Sequence, residues 1–243
     1  MSATPHSPVP QNLDAPLPMT LPRLAEKKRL GEPIVMITAY DYPSAQIAED
    51  AGVDVVLVGD SGAMTVLGYP STVPVSVDEL VMLAAATRRG LHTPFLVGDL
   101  PFGSYEASDE QAIATAQRFV KEAGCDAVKL EGGGSSVRRA RAIVEAGIPV
   151  MGHVGLTPQT STALGGYKAQ GRTAERALDV ARDTLALERA GCFAVVFEAI
   201  PSAVEEYASE VRGRRFPAPE HCYSIDPDEL DGFRAGLADG LGR

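Results

Sequence analysis

FLVGDLPFGSYEASDEQAIATAQRFVKEAGCDAVKLE, residues 95–131, holds a strand, a helix and a second strand in one stretch. Phe95–Val97 is a short apolar run that closes on Gly98-Asp99. Across 108–123, Ala112, Ile113, Ala116, Phe119, Val120 and Ala123 recur at helical spacing, and Ser108 with Gln111 forms a capping-box signature. The next apolar run, Ala127–Leu130, carries Lys129 and is followed by Glu131. Two strands separated by a helix of this length pair in parallel, through a right-handed crossover. The same grammar extends outward on both sides. Further apolar runs lie at Ile34–Ile37, Val53–Val58, Ile148–Met151 and Phe193–Phe197, and helical spacing marks 136–146 and 174–190. Ser76 with Glu79 repeats the capping signature before Leu80–Ala86. Near-continuous apolar strands suit a sheet covered on both faces, which leaves a (β/α)8 barrel or a doubly wound sheet.

The polar residues choose between them. Each apolar run closes on a chemically capable group: Thr38-Ala39-Tyr40-Asp41, Gly59-Asp60-Ser61, Gly98-Asp99, Lys129 with Glu131, Gly152-His153, and Glu198. A barrel gathers its functional groups at the C-terminal ends of several different strands. A doubly wound sheet concentrates them at one switch point, commonly beside a Gly-rich phosphate turn. No GxGxxG or Walker motif follows Ile37. The barrel is the expected fold.

Composition narrows the function. The net charge is -10, with no dense Lys/Arg cluster, so neither nucleic acid nor an anionic membrane is an expected partner. Cys125, Cys192 and Cys222 are widely spaced and odd in number, without zinc or disulfide spacing, so a reducing cytoplasm is the expected compartment. No apolar run is long enough to span a bilayer. Residues 1–22, with six prolines and no apolar signal core, read as a flexible arm.

Taken singly, Asp60 or Asp99 after a strand reads as a helix N-cap, His153 as a hydrogen-bonded core histidine, and Glu198 as the start of a loop. Their joint placement changes that reading. Carboxylates crowded at one barrel mouth raise each other's pKa unless a cation joins them. Lys129 and Glu131, two apart, point to one side of their strand. Oxygen ligands without cysteine favour Mg²⁺ over Zn²⁺.

These residues sit within longer motifs: ITAYDYPSA (37–45), LVGDSGAMTVLGY (57–69), STVPVSVDEL (71–80), VGDLPFGSY (97–105), VKLEGG (128–133), GHVGLTPQT (152–160), GGYKAQGR (165–172), FEAIP (197–201) and FPAPEH (216–221). In order and spacing they resemble the ketopantoate hydroxymethyltransferase family. The resemblance implies a (β/α)8 barrel of the phosphoenolpyruvate-mutase/isocitrate-lyase type. It implies transfer of a hydroxymethyl group from 5,10-methylenetetrahydrofolate to 3-methyl-2-oxobutanoate, giving ketopantoate for coenzyme A synthesis. Carried over motif by motif, Asp60 and Asp99 hold Mg²⁺, and Glu131 completes the acidic site through a water. Ser61 and Lys129 bind the 2-oxo acid beside Asp60 and Asp99, Glu198 is the proton acceptor, and His153 orients a substrate oxygen or Glu198. The family also implies a homo-oligomer, commonly a decamer in bacteria.

The chain departs from that family in its last third. Only six strands can be counted, and about two βα units, on the order of 60 residues, are missing near 202–204. The expected organisation is therefore an arm at 1–22, one incomplete barrel over 23–223 and a helical tail at 224–243 built on Leu230, Phe233 and Leu237. Two alternatives stand beside the transferase: another 2-oxo-acid lyase or mutase of the same superfamily, and a non-catalytic remnant that binds Mg²⁺ and oxo acid.

Overall fold

Six parallel strands lie side by side in the order in which the chain makes them, with no reversal. A doubly wound sheet reverses direction at its switch point, so this order is that of a barrel wall, here a curled six-stranded sheet. The computed structural model describes residues 17–160 and 174–200. The expected helical tail, FPAPEH, Cys222 and the proposed break near 202–204 lie outside the described residues.

The elements are α1 Leu21–Leu30, β1 Met36–Thr38, α2 Tyr42–Asp50, β2 Val55–Val58, α3 Gly62–Thr65, α4 Val77–Arg89 and β3 Phe95–Asp99. They continue as α5 Asp109–Ala123, β4 Ala127–Lys129, α6 Ser135–Glu145, β5 Val150–Gly155, α7 Ala174–Arg189 and β6 Ala194–Glu198. All six expected strands form. Ser76 and Glu79 close the full capping box of α4. At α5 only half of one forms: Ser108 accepts from Gln111 N–H, while the Gln111 side chain accepts from Ala107 N–H instead.

The core divides into two apolar clusters, one on each face of the sheet. Val56, Val58, Leu96, Val128, Val150 and Val154 belong to the larger, under the helices. Val55, Phe95, Val97, Ala127 and Met151 belong to the smaller, on the inner face, where Phe95 and Phe193 meet edge to face at 5.7 Å. Side chains alternate along a strand. Phe95 and Val97 therefore carry Asp99 onto the inner face, Ala127 carries Lys129, Met151 carries His153, and Ala194 with Val196 carries Glu198. Gly98, on the outer face, lets α5 approach: a Cβ there would stand 2.4 Å from Phe119 Cδ1.

Leu24 of α1 closes the inner cluster at the N-terminal ends of the strands, with Met19 and Leu21 packed beside it. Met19 N–H donates to Thr93 O at 2.7 Å. Met19 and Leu21, placed by the sequence in the 1–22 arm, thus pack against that end of the inner face. Among the described residues the sheet ends in β1 on one side and β6 on the other. On β1, Met36 and Ile37 are exposed, as are Ile34 and Val35 before it.

Candidate active site

A cleft of about 330 Å³ opens at the C-terminal ends of the strands, and Asp60, Ser61, Asp99, Lys129, Glu131, His153 and Glu198 all line it. The structure brings every one of the sequence-derived candidates together. None of the N-cap readings survives. Asp99 lies within β3, and its Oδ2 accepts from Asp60 N–H at 3.0 Å rather than from a helix. The residue at the N-cap of α3 is Ser61, which makes no side-chain cap bond; its Oγ meets Tyr40 Oη at 2.8 Å.

Lys129 stands among the carboxylates. Its Nζ is 2.8 Å from Asp99 Oδ1 and 3.9 Å from Glu131 Oε1, and all three side chains are buried. His153 continues the line, with Nδ1 3.3 Å from Glu131 Oε1 and Nε2 3.3 Å from Glu198 Oε2. Burial pushes the Asp99 carboxyl up to about 7, opposed by Lys129 and reinforced by Asp60 and Glu131. Asp60 is raised too, first by burial, against the pull of Lys129. Burial disfavours the Lys129 ammonium, yet Asp99, Glu131 and Asp60 together raise its pKa. Burial likewise disfavours charge on His153, but its contacts with Glu131 and Glu198 prevail and raise it.

Three buried carboxylates thus share one ammonium and one imidazole. That imbalance fits a hard divalent cation, and the available donors are oxygens. Among the described residues, no three His, Cys, Asp or Glu side chains converge closely enough to form a complete cage. Mg²⁺ does not require one, since it is commonly held by one or two carboxylates together with water and substrate oxygens.

Glu198 is less enclosed than the other charged residues of the cleft: its side chain is 43% exposed. It sits on β6, the last strand among the described residues. Directly after it, Ala199 turns the chain away at a φ of 44°, a left-handed conformation that costs a residue with a Cβ.

Thr38, at the end of the first apolar run, lines the cleft as well. Three cleft or support residues escaped the sequence reading. Thr72 lines the cleft, and its Oγ1 is buried without a hydrogen-bond partner among the described residues. Gln159 and Tyr105 are buried behind it: Gln159 Nε2 donates to Asp60 Oδ2 at 3.0 Å, and Tyr105 Oη donates to Gln159 Oε1 at 2.6 Å. Both lie inside quoted motifs, but a neutral amide on a 3₁₀ turn and a phenol on a loop carry no signal of the kind that strand-end charges do.

Residues 18–211 match the family model for ketopantoate hydroxymethyltransferase. The chain belongs to that family. A relative named 3-methyl-2-oxobutanoate hydroxymethyltransferase 1, mitochondrial, from Arabidopsis thaliana is 52% identical over 203 residues, covering 83% of this chain and 58% of the relative. A rice relative of the same name is 53% identical over 192 residues and is covered over 53% of its length. This ketopantoate hydroxymethyltransferase family member therefore spans little more than half the length of these plant relatives. The 3-methyl-2-oxobutanoate hydroxymethyltransferase of Heliobacterium modesticaldum is 50% identical over 272 residues, covering 88% of this chain and 98% of that protein. That match is longer than the whole chain, so part of the relative has no counterpart here. Among solved structures, phosphonopyruvate hydrolase superposes with a TM-score of 0.58 at 14% identity, over 91% of this chain and 84% of that one. A 2,3-dimethylmalate lyase of the PEP mutase/isocitrate lyase superfamily does so at 0.53 and 18%, over 92% and 84%. These two share the fold, which is the barrel type anticipated from the motifs.

Proposed function

We propose that this chain transfers a hydroxymethyl group from 5,10-methylenetetrahydrofolate to 3-methyl-2-oxobutanoate, giving 2-dehydropantoate with the help of Mg²⁺. The observation that carries this reading is the set at five strand ends, Asp60, Asp99, Lys129 with Glu131, His153 and Glu198, gathered around one cleft in a member of this family. Asp60 and Asp99 would hold the ion, with Glu131 joined through water. When bound, Mg²⁺ supplies the Lewis acidity that stabilises an enolate of the oxo acid. Lys129 places a positive charge beside the same oxygens, and the Ser61 hydroxyl, braced by Tyr40, donates to the substrate carboxylate. Glu198 takes the proton from C3, with His153 Nε2 3.3 Å from its carboxylate. The C3 carbon then bonds to the methylene carbon of the folate and a water oxygen bonds to it as the hydroxyl; both methylene–nitrogen bonds break, and the two nitrogens take up the C3 proton and one proton from the water.

The first test is deuterium exchange at C3 of 3-methyl-2-oxobutanoate, followed by NMR with Mg²⁺ present. Glu198→Gln is expected to abolish exchange while leaving Mg²⁺ binding intact; unchanged exchange removes Glu198 from the role of base. Product formation that depends on methylenetetrahydrofolate separates this reading from a lyase or mutase. The exposure of Glu198 favours one competitor, a chain that binds Mg²⁺ and oxo acid without turnover, and wild-type protein that binds both but exchanges no deuterium would establish it. The reading extends to a homo-oligomer working in the cytoplasm. The exposed edge strand β1 supports self-association, and the scattered cysteines support a reducing compartment.

A further inference from the structure

Behind the cleft, a chain of buried hydrogen bonds runs from the backbone of Glu131 to the carboxylate of Asp60, and its polarity can be worked out from one end. Tyr105 Oη accepts from Glu131 N–H at 3.2 Å. A phenol has a single hydrogen to give. Its near acceptor is Gln159 Oε1 at 2.6 Å, against 3.5 Å for the Glu131 carbonyl. With its oxygen thus engaged, the Gln159 amide must turn its nitrogen the other way. Nε2 then donates one hydrogen to Asp60 Oδ2 at 3.0 Å and the other to Leu100 O at 2.9 Å. The backbone N–H of the same residue donates to Glu131 Oε2 at 3.1 Å. Gln159 therefore holds one oxygen of each of two acidic residues, and no hydrogen bond reaches Asp60 Oδ1 from the described residues.

We propose that Gln159 and Tyr105 are positioning residues that preset Asp60 for the divalent cation: Tyr105 fixes which way the Gln159 amide faces, and the amide fixes the carboxylate. The inference rests on the metal role proposed above for Asp60. Neither residue lines the cleft, so each acts through Asp60 and Glu131 rather than on the ligand itself. Without the phenol hydroxyl the amide oxygen loses its donor, and only Asp60 Oδ2 and Leu100 O are left to hold the nitrogen side; a flipped amide would set Gln159 Oε1 against both, oxygen against oxygen. A network of this kind supports metal binding because the ligand is held in its binding orientation before the ion arrives.

The test is Mn²⁺ binding, read from the electron paramagnetic resonance signal of free Mn²⁺, with thermal melting in EDTA measured alongside. It uses the full chain and the variants Gln159→Met, Tyr105→Phe, Asp60→Asn and Asp99→Asn. Gln159→Met and Tyr105→Phe are each expected to weaken Mn²⁺ binding by about 10- to 100-fold in protein that still melts cooperatively. Should Gln159→Met fail to fold, Tyr105→Phe decides, since it removes one oxygen from a residue that does not itself line the cleft. If both variants bind Mn²⁺ like wild type while Asp60→Asn does not, the positioning role is overturned and the metal site stands. A purely structural role gives that same pattern together with a lowered melting temperature. If Asp60→Asn and Asp99→Asn also bind like wild type, the metal reading fails, and the inference with it.

Discussion

Replacing Lys129 by Met removes the ammonium that stands between Asp99 and Glu131, leaving buried carboxylates without their cation. Breaking a buried ion pair from one side costs about 3–5 kcal/mol. Lys129→Met should therefore lose that much stability in urea denaturation in EDTA. Asp99 gives a pH test whose sign follows from its raised pKa. The unfolded chain ionises near the ordinary value of 3.8 and the folded one at about 7, so between them the native state binds more protons. The metal-free protein should lose stability as pH rises through that window, and Asp99→Asn should flatten the loss; thermal melts in EDTA from pH 4 to 8 check both. At this scale the charged residues were legible in the sequence, because each stands where an apolar run ends. Gln159 and Tyr105 were not. Their importance lies in what they bond to, and Gln159 meets Asp60 across 99 residues of chain.

Helices α4 and α5 were legible in outline, since their caps and apolar faces are local. Ser108→Ala should remove the side-chain acceptor of Gln111 N–H and cost about 1 kcal/mol. Gly124, at a φ of 71°, ends the same helix in a left-handed turn that a glycine adopts freely. The contact between α5 and β3 is a different matter. Gly98→Ala would set a methyl group 2.4 Å from Phe119 Cδ1 and should cost about 1–3 kcal/mol by overpacking. Phe119→Leu placed on top of it should recover part of that loss, a coupling that a double-mutant cycle in urea measures. The sequence shows a glycine before Asp99, but not that a phenyl ring 21 positions later needs the room. The packing of Met19 and Leu21 was missed for a related reason: a proline-rich composition shows no partner, and these side chains find theirs only on the assembled inner face.

Across the molecule, the edges of the sheet decide how the site is exposed. Val35 and Ile37 are 52% and 47% exposed beside an open edge, an arrangement that invites strand pairing or burial against another chain. Light scattering after size exclusion should accordingly give a mass several times the 25.6 kDa of one chain, and Ile37→Lys should lower it. Cys125 and Cys192 are free, and burial pushes their thiols up to about 12 and about 11, so neither should react readily with thiol reagents in the folded protein. The sequence by itself determined the parallel α/β grammar, the family and the identity of the charged cleft residues, because strand alternation, helix caps and strand ends are properties of neighbouring positions. Only the tertiary structure decided which of those charges are buried together, that a neutral Gln159–Tyr105 pair orients Asp60, and that Glu198 stands half in solvent on an edge strand. Each of these depends on groups far apart in the chain meeting in space, and on which strand the sheet ends with.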